Sequence, residues 1–107
     1  MKRGEIWWVT FDPAFGSEIQ KMRPAVIVSN DISNQYLSRV VVVPFTSNTK
    51  KIYPSDALIT VDGKPAKALT DQIMAADKSR LKSRLGLLSN KELPLIEAAI
   101  KLHLDMT

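Results

Sequence analysis

Residues 5–11 (Glu-Ile-Trp-Trp-Val-Thr-Phe) are rich in β-formers and apolar on both faces, which predicts a first strand. Asp12-Pro13 ends it, and residues 13–23 read as a long polar loop around Gly16. Such a loop in a short chain often carries function. Residues 24–29 predict a second strand, with Pro24 at its first position, where no ladder donor is needed. Residues 30–38 are polar, with room for one helical turn. In residues 39–46 four successive valines imply a strand buried on both faces, and Pro44 within it predicts a bulge or an edge. After a second polar loop (47–55), residues 57–61 and 67–75 predict a fourth and a fifth strand, separated by an Asp62-Gly63 turn. Residues 77–80 suggest a helical turn, and residues 85–88 a short sixth strand.

The C-terminal segment predicts a helix. Ser89 is its expected N-cap, Glu92 the capping-box partner, and Pro94 lies near the helix start. Glu97, Lys101 and Asp105 form a polar stripe. Leu93, Ile96, Ile100 and Leu104 flank it on one side, and Leu95, Ala99, Leu102 and Met106 on the other. A surface helix needs only one apolar stripe, so the second predicts a contact beyond the helix's own domain. Five or six short strands closed by one helix point to a small antiparallel barrel, with residues 1–107 as one domain.

Composition narrows the chemistry. There is no cysteine and one histidine, His103, among 107 residues. A thiolate nucleophile, a Cys-based metal site, a two-histidine acid/base pair and an HExxH zinc site are excluded. Neither a P-loop nor Gly-x-Gly-x-x-Gly occurs, and no cofactor or metal is expected. The formal charge of +4 fits a polyanionic partner, nucleic acid first, and equally a solubility charge. No 18-residue apolar run exists and Met1-Lys2-Arg3-Gly4 enters a patterned segment at once, so the cytoplasm is the expected compartment.

What remains is Arg, Lys, Ser, Thr, Asp, Glu and Tyr. Polar side chains beside strand ends are the candidates: Ser17, Glu18, Gln20, Lys21 and Arg23 in and after the first loop, Thr46, Asp71-Gln72, and Asp12. A guanidinium at Arg23 suits two phosphate oxygens at once and charge building on phosphorus. The Thr46 hydroxyl suits donation to a phosphate oxygen. Taken one at a time, these are equally ordinary surface or strand residues. Asp71 needs a partner if it is buried. His103 reads as packing or surface. Trp7 and Trp8 suit base stacking, but adjacent strand residues face opposite ways, and packing serves both.

Their order carries more than any one of them. Lys2-Arg3-Gly4-Glu5-Ile6-Trp7, Asp12-Pro13, Gly16-Ser17-Glu18 and Arg23-Pro24 occur in sequence. Then come Pro44-Phe45-Thr46-Ser47, Leu69-Thr70-Asp71-Gln72 and Asp77-Lys78-Ser79-Arg80-Leu81. Over nearly the whole chain this order resembles the MazF/PemK family of toxin endoribonucleases, most specifically in Gly-x-Glu-x-x-x-x-Arg-Pro before a strand.

The resemblance implies an SH3-like, partly open barrel with a C-terminal helix, assembled as a homodimer and inhibited by a cognate antitoxin. It implies cleavage of single-stranded RNA without a metal. The ribose 2′-hydroxyl attacks phosphorus and leaves a 2′,3′-cyclic phosphate and a 5′-hydroxyl. Arg23 and Thr46 would be the catalytic pair. Ser17, Glu18, Gln20, Lys21, Lys50, Asp71 and Gln72 would contact RNA. The chain departs from the family at Ile19 and Lys21, where Gln and Gly are usual. Ser17 and Leu69 replace the histidine and arginine of the PemK branch, so that branch's Arg/Asp/His mechanism does not carry over. Two other readings stand beside the nuclease. One is a non-catalytic toxin similar to CcdB, which poisons gyrase through a Trp-Gly-Ile C-terminus that Leu104-Asp105-Met106-Thr107 lacks. The other is a barrel that binds RNA without cutting it.

Overall fold

The computed structural model describes residues 1–106; Thr107, the last residue of the expected C-terminal comparison, lies outside the described residues. Seven strands form an antiparallel sheet: β1 (Glu5–Thr10), β2 (Met22–Ile27), β3 (Arg39–Thr46), β4 (Asp56–Val61), β5 (Lys64–Leu69), β6 (Met74–Asp77) and β7 (Leu81–Leu87). Helix α1 (Asp31–Tyr36) follows β2, and helix α2 (Leu93–His103) closes the chain. The spatial order is β4-β5-β3-β2-β1-β7, with β6 also on β3. β4 and β7 remain unpaired to one another, so the barrel is partly open, as expected.

The valine run explains the centre. Val40 and Val42 join Val9, Ala25 and Ile27 in one buried cluster. Val43 and Phe45 join Val26, Ile59 and Ile96 in another. β3 is therefore apolar on both faces because it has a core on each. It also changes partner along its length. Residues Arg39–Val42 pair with β6, whereas Phe45 and Thr46 pair with β5. Pro44 stands at that changeover, where its missing N–H withdraws no donor from either ladder.

Three expectations need correction. The fifth strand predicted over 67–75 is two strands separated by a 3₁₀ turn, Thr70–Gln72. The Thr70 hydroxyl bonds to the Ser55 carbonyl and, at 3.4 Å, to that of Ala99, and the chain steps there from one half of β3 to the other. The sixth strand, expected over 85–88, begins at Leu81. Its first half is polar because β7 pairs only with β1 and turns Lys82, Ser83 and Arg84 to solvent. Finally, α2 proper starts at Leu93. Its N-cap is Glu92 and not the expected Ser89, whose Oγ accepts the Glu92 N–H (3.2 Å) and donates to Glu92 Oε1 (3.0 Å) in the turn before the helix. The Glu92 carboxylate does not return to the Ser89 backbone; its other oxygen takes the Thr60 N–H of edge strand β4 at 2.6 Å.

Burial cuts across the two expected flanks of α2: Ala99 from the second flank is buried with Ile96, and Leu104 from the first is exposed. Ile96 and Ala99 are buried and Leu93 and Ile100 pack beside them. Leu95, Leu102, Leu104 and Met106 stay exposed. Glu97, from the polar stripe, pairs with Arg3 at 2.7 Å and ties the helix to the chain start. No helix among the described residues is long and apolar enough to cross a membrane.

Candidate nucleic-acid interface

Antiparallel pairing brings Arg23 and Thr46 together. The β2–β3 pairing ends at Ala25–Pro44, and Arg23 lies two residues before Ala25 and Thr46 two residues after Pro44. Both line a cleft of about 350 Å³ with Trp8, Ser47, Lys64 and Leu85. Arg23 Nε donates to the Gln20 carbonyl at 3.3 Å, and no carboxylate among the described residues forms an ion pair with it. Thr46 Oγ1 accepts the Asn48 N–H at 3.2 Å. That bond uses a lone pair and leaves the hydroxyl proton to be donated.

Two further clefts adjoin this one. Thr46 is shared with a cleft of about 500 Å³ lined by Asn48, Lys50, Lys51, Tyr53, Lys67 and Leu69. Ile19 is shared between that cleft and a third, of about 380 Å³, lined by Ser17, Glu18, Asp71, Gln72 and Arg80. The three form one band across the sheet. Arg23, Lys50, Lys51, Lys64 and Arg80 give it a cationic character, interrupted by Glu18, Asp62 and Asp71.

The loop over residues 11–21 is held from several sides. Arg80 Nη1 donates to the carbonyls of Thr10 (3.1 Å) and Asp12 (2.9 Å). Asp12 Oδ1 accepts the Lys21 N–H at 2.9 Å, which gives Asp12 a loop-closing role. Gln72 Oε1 accepts the Ile19 N–H at 2.6 Å, and Glu18 Oε1 accepts the Phe15 N–H at 2.7 Å. Gln72 and Glu18 thus spend one oxygen each on loop shape while still facing the cleft. Lys21 takes φ 68°, the left-handed conformation that glycine adopts most readily.

Of the residues singled out from sequence, Arg23, Thr46, Ser17, Glu18, Lys50, Asp71 and Gln72 line the band. Gln20 and Lys21 do not line it; both are exposed on the loop beside it. Asp71 is exposed and needs no buried partner. His103 is exposed in the last turn of α2. Lys67, Tyr53, Lys64 and Arg80 were not singled out by role. Lys67 carried one signal, a lysine between Ala66 and Ala68 in a strand. It is buried, with Nζ donating to the Lys51 carbonyl (2.7 Å) and to Asp56 Oδ2 (3.2 Å). Among the described residues, no three His, Cys, Asp or Glu side chains group as metal ligands would.

Residues 2–104 match the family described as PemK-like, MazF-like toxin of type II toxin–antitoxin system. The chain is 44% identical over 115 residues to endoribonuclease MazF9 of Mycobacterium tuberculosis, covering 99% of this chain and 98% of that protein. It is 33% identical over 111 residues to endoribonuclease MazF of Staphylococcus saprophyticus, covering 99% and 92%. Among solved structures, MazF from Deinococcus radiodurans has a TM-score of 0.88 at 25% identity, over 99% of this chain and 97% of that one. A mycobacterial endoribonuclease in complex with its cognate antitoxin has the same fold, with a TM-score of 0.84 at 21% identity over 100% and 97%. Fold, full-length similarity and family match agree: the chain belongs to the PemK-like, MazF-like toxins of type II toxin–antitoxin systems.

Proposed function

We propose that the protein is an endoribonuclease that cuts single-stranded RNA at a short motif without a metal, inhibiting translation and growth. The observation that carries this reading is Arg23 and Thr46 on one cleft wall, each with donors free for an anion. The relatives' name, endoribonuclease MazF, supports RNA as the substrate.

The reaction suits these residues because the nucleophile belongs to the substrate. The ribose 2′-oxygen forms a bond to the adjacent phosphorus and gives up its proton. The bond from phosphorus to the 5′-oxygen breaks, and that oxygen gains a proton. The products are a 2′,3′-cyclic phosphate and a 5′-hydroxyl. The protein must stabilise the charge that gathers on the phosphorane. Arg23 does so with a planar fork that matches two oxygens, and Thr46 donates one hydroxyl bond.

The toxin works as a homodimer and is silenced by an antitoxin in the cytoplasm, with residues 1–107 as a single toxin domain. A second copy fits the face where Ile100 and Met106 meet Ile73 and Ala75 beside the exposed end of α2. Such an interface buries more than ~1,200 Å². The antitoxin brings an acidic, extended segment to the cationic band. Solved relatives bound to antitoxin support this pairing.

The test is incubation of the purified protein with a long RNA in excess EDTA, with both product ends mapped. Cyclic phosphate and 5′-hydroxyl ends are expected. Strict dependence on magnesium, 5′-phosphate products, or binding without cutting would overturn the reading.

A further inference from the structure

The middle cleft contains a feature that phosphate chemistry does not use. Tyr53 stands on its wall with 57% of its surface exposed, although the residue is tied down on every backbone side. Its N–H donates to Asp56 Oδ2 at 2.8 Å, and its carbonyl accepts the Asp56 N–H at 2.9 Å. The Lys67 ammonium lies over the ring, 5.5 Å from the centroid. That ammonium is itself fixed by Asp56 and the Lys51 carbonyl. Just beyond, Thr70 bonds to the Ser55 carbonyl. An exposed aromatic ring normally gains little from being held so firmly. Here the holding groups are buried, and the ring is what they present.

The surroundings say what the ring is for. Ile19 and Leu69 supply apolar walls, Lys50 and Lys51 a cationic rim, and Thr46 the boundary with the cleft of Arg23. A flat apolar slot beside a phosphate site, rimmed by lysines, matches the chemistry of a nucleotide: an aromatic face for the base and cations for the backbone. An apolar peptide would not use the lysines, and a free phosphate would not use the ring.

We infer that the cleft between Tyr53, Leu69 and Ile19 is a nucleobase subsite, in which a base next to the scissile phosphate stacks on Tyr53. This rests on the RNA-cleaving reading above and deepens it. Because every base has a π-face, the subsite contributes affinity at that position more than a choice among bases. Holding the ring in place beforehand lowers the ordering cost that a mobile loop would add on binding.

The test uses RNA that cannot be cut. A uridine decamer with 2′-fluoro sugars carries 5-iodouridine at one position at a time. It is irradiated with the wild-type protein, and the cross-linked peptide is identified by mass spectrometry. Affinity is measured by fluorescence anisotropy. The expected result is cross-linking at Tyr53, with Tyr53→Leu weakening binding by about tenfold and Tyr53→Phe leaving it within about twofold. Melting temperatures of both variants should stay at the wild-type value, since the ring is largely exposed. Cross-linking confined to Trp8 or Phe15, or equal affinity of Tyr53→Leu and wild type, would overturn the subsite. The cutting assay in EDTA reads the other claim separately. Cutting without a Tyr53 cross-link removes only the subsite, whereas a Tyr53 cross-link without cutting removes only the nuclease reading.

Discussion

Arg23 of β2 and Thr46 of β3, each two residues beyond the last paired residues Ala25 and Pro44, line one cleft. Both belong to strands rather than to a loop. Arg23→Ala should lower the cleavage rate roughly 100- to 1,000-fold, the usual loss for a donor aimed at developing charge. Thr46→Val keeps the β-branched shape and deletes the hydroxyl, so it should fold normally and cut poorly. Melting temperature and single-turnover cleavage on the same preparations check both. Rates within about threefold of wild type for both variants would show that the site is misplaced.

Lys21 separates stability from binding. Lys21→Gly removes a side chain from a left-handed backbone, relieving about 1–2 kcal/mol. It also loosens the unfolded chain, at a cost of about 0.4–1 kcal/mol. The net gain should be about 0.5–1 kcal/mol by urea unfolding. If Lys21 contacts a phosphate, the same variant should bind single-stranded RNA with a salt slope shallower by about 0.7.

Lys67 should be the costliest lysine to lose. Its side chain is 10% exposed, and that of its partner Asp56 only 2%. Lys67→Met leaves a buried carboxylate without its cation, a loss of about 3–5 kcal/mol. Lys64→Met, on an exposed residue at the band's edge, should change stability by less than about 0.5 kcal/mol. Denaturant midpoints compare the two directly.

Acid should weaken the fold through three carboxyls. Asp77 is held below its ordinary value of 3.8 by the Ser79 hydroxyl and N–H, and Asp31 below 3.8 by the Arg3 N–H. Burial raises Glu5, but the Trp7 indole and the Lys2 N–H outweigh it, and the net direction is below 4.5. Each group binds a proton more readily in the unfolded chain. Its stabilisation is present above the ordinary value and is lost as pH falls through the lower, folded one. Denaturant midpoints should therefore be flat near neutrality and decline below about pH 4.5. Asp77→Asn should shallow that decline.

Much of the barrel is legible along the chain because its strands are apolar in runs. β1 to β3 follow from residues 5–11, 24–29 and the valines, and Asp62-Gly63 marks the β4–β5 turn. The break between β5 and β6 was not legible. It depends on Thr70 meeting Ser55 and Ala99, which lie far away in sequence. The start of β7 was hidden by Lys82, Ser83 and Arg84, whose polarity reflects a strand paired on one side only. At the site, Arg23 and Thr46 came from the order of motifs. Their proximity needed the register of β2 on β3. Lys67 was missed because a buried lysine is recognised by its counter-ion, and Asp56 belongs to a different strand. The roles of Gln72 and Asp12 in shaping the loop were equally hidden, since each acts on a backbone N–H several residues or more away.

The bond from the Thr60 N–H to Glu92 bears on how other chains can approach. An unpaired edge strand is a template for a foreign strand, and an open barrel has such edges. At Thr60 the edge donor is already occupied by a carboxylate from the chain's own helix. An incoming strand would have to displace a charge-assisted bond and repel or neutralise Glu92 to add there. The opposite edge, β7, carries Lys82 and Arg84, charges that resist docking of a second β7. Addition of a foreign strand is thereby discouraged at β4 and at β7, the two ends of the main strand path.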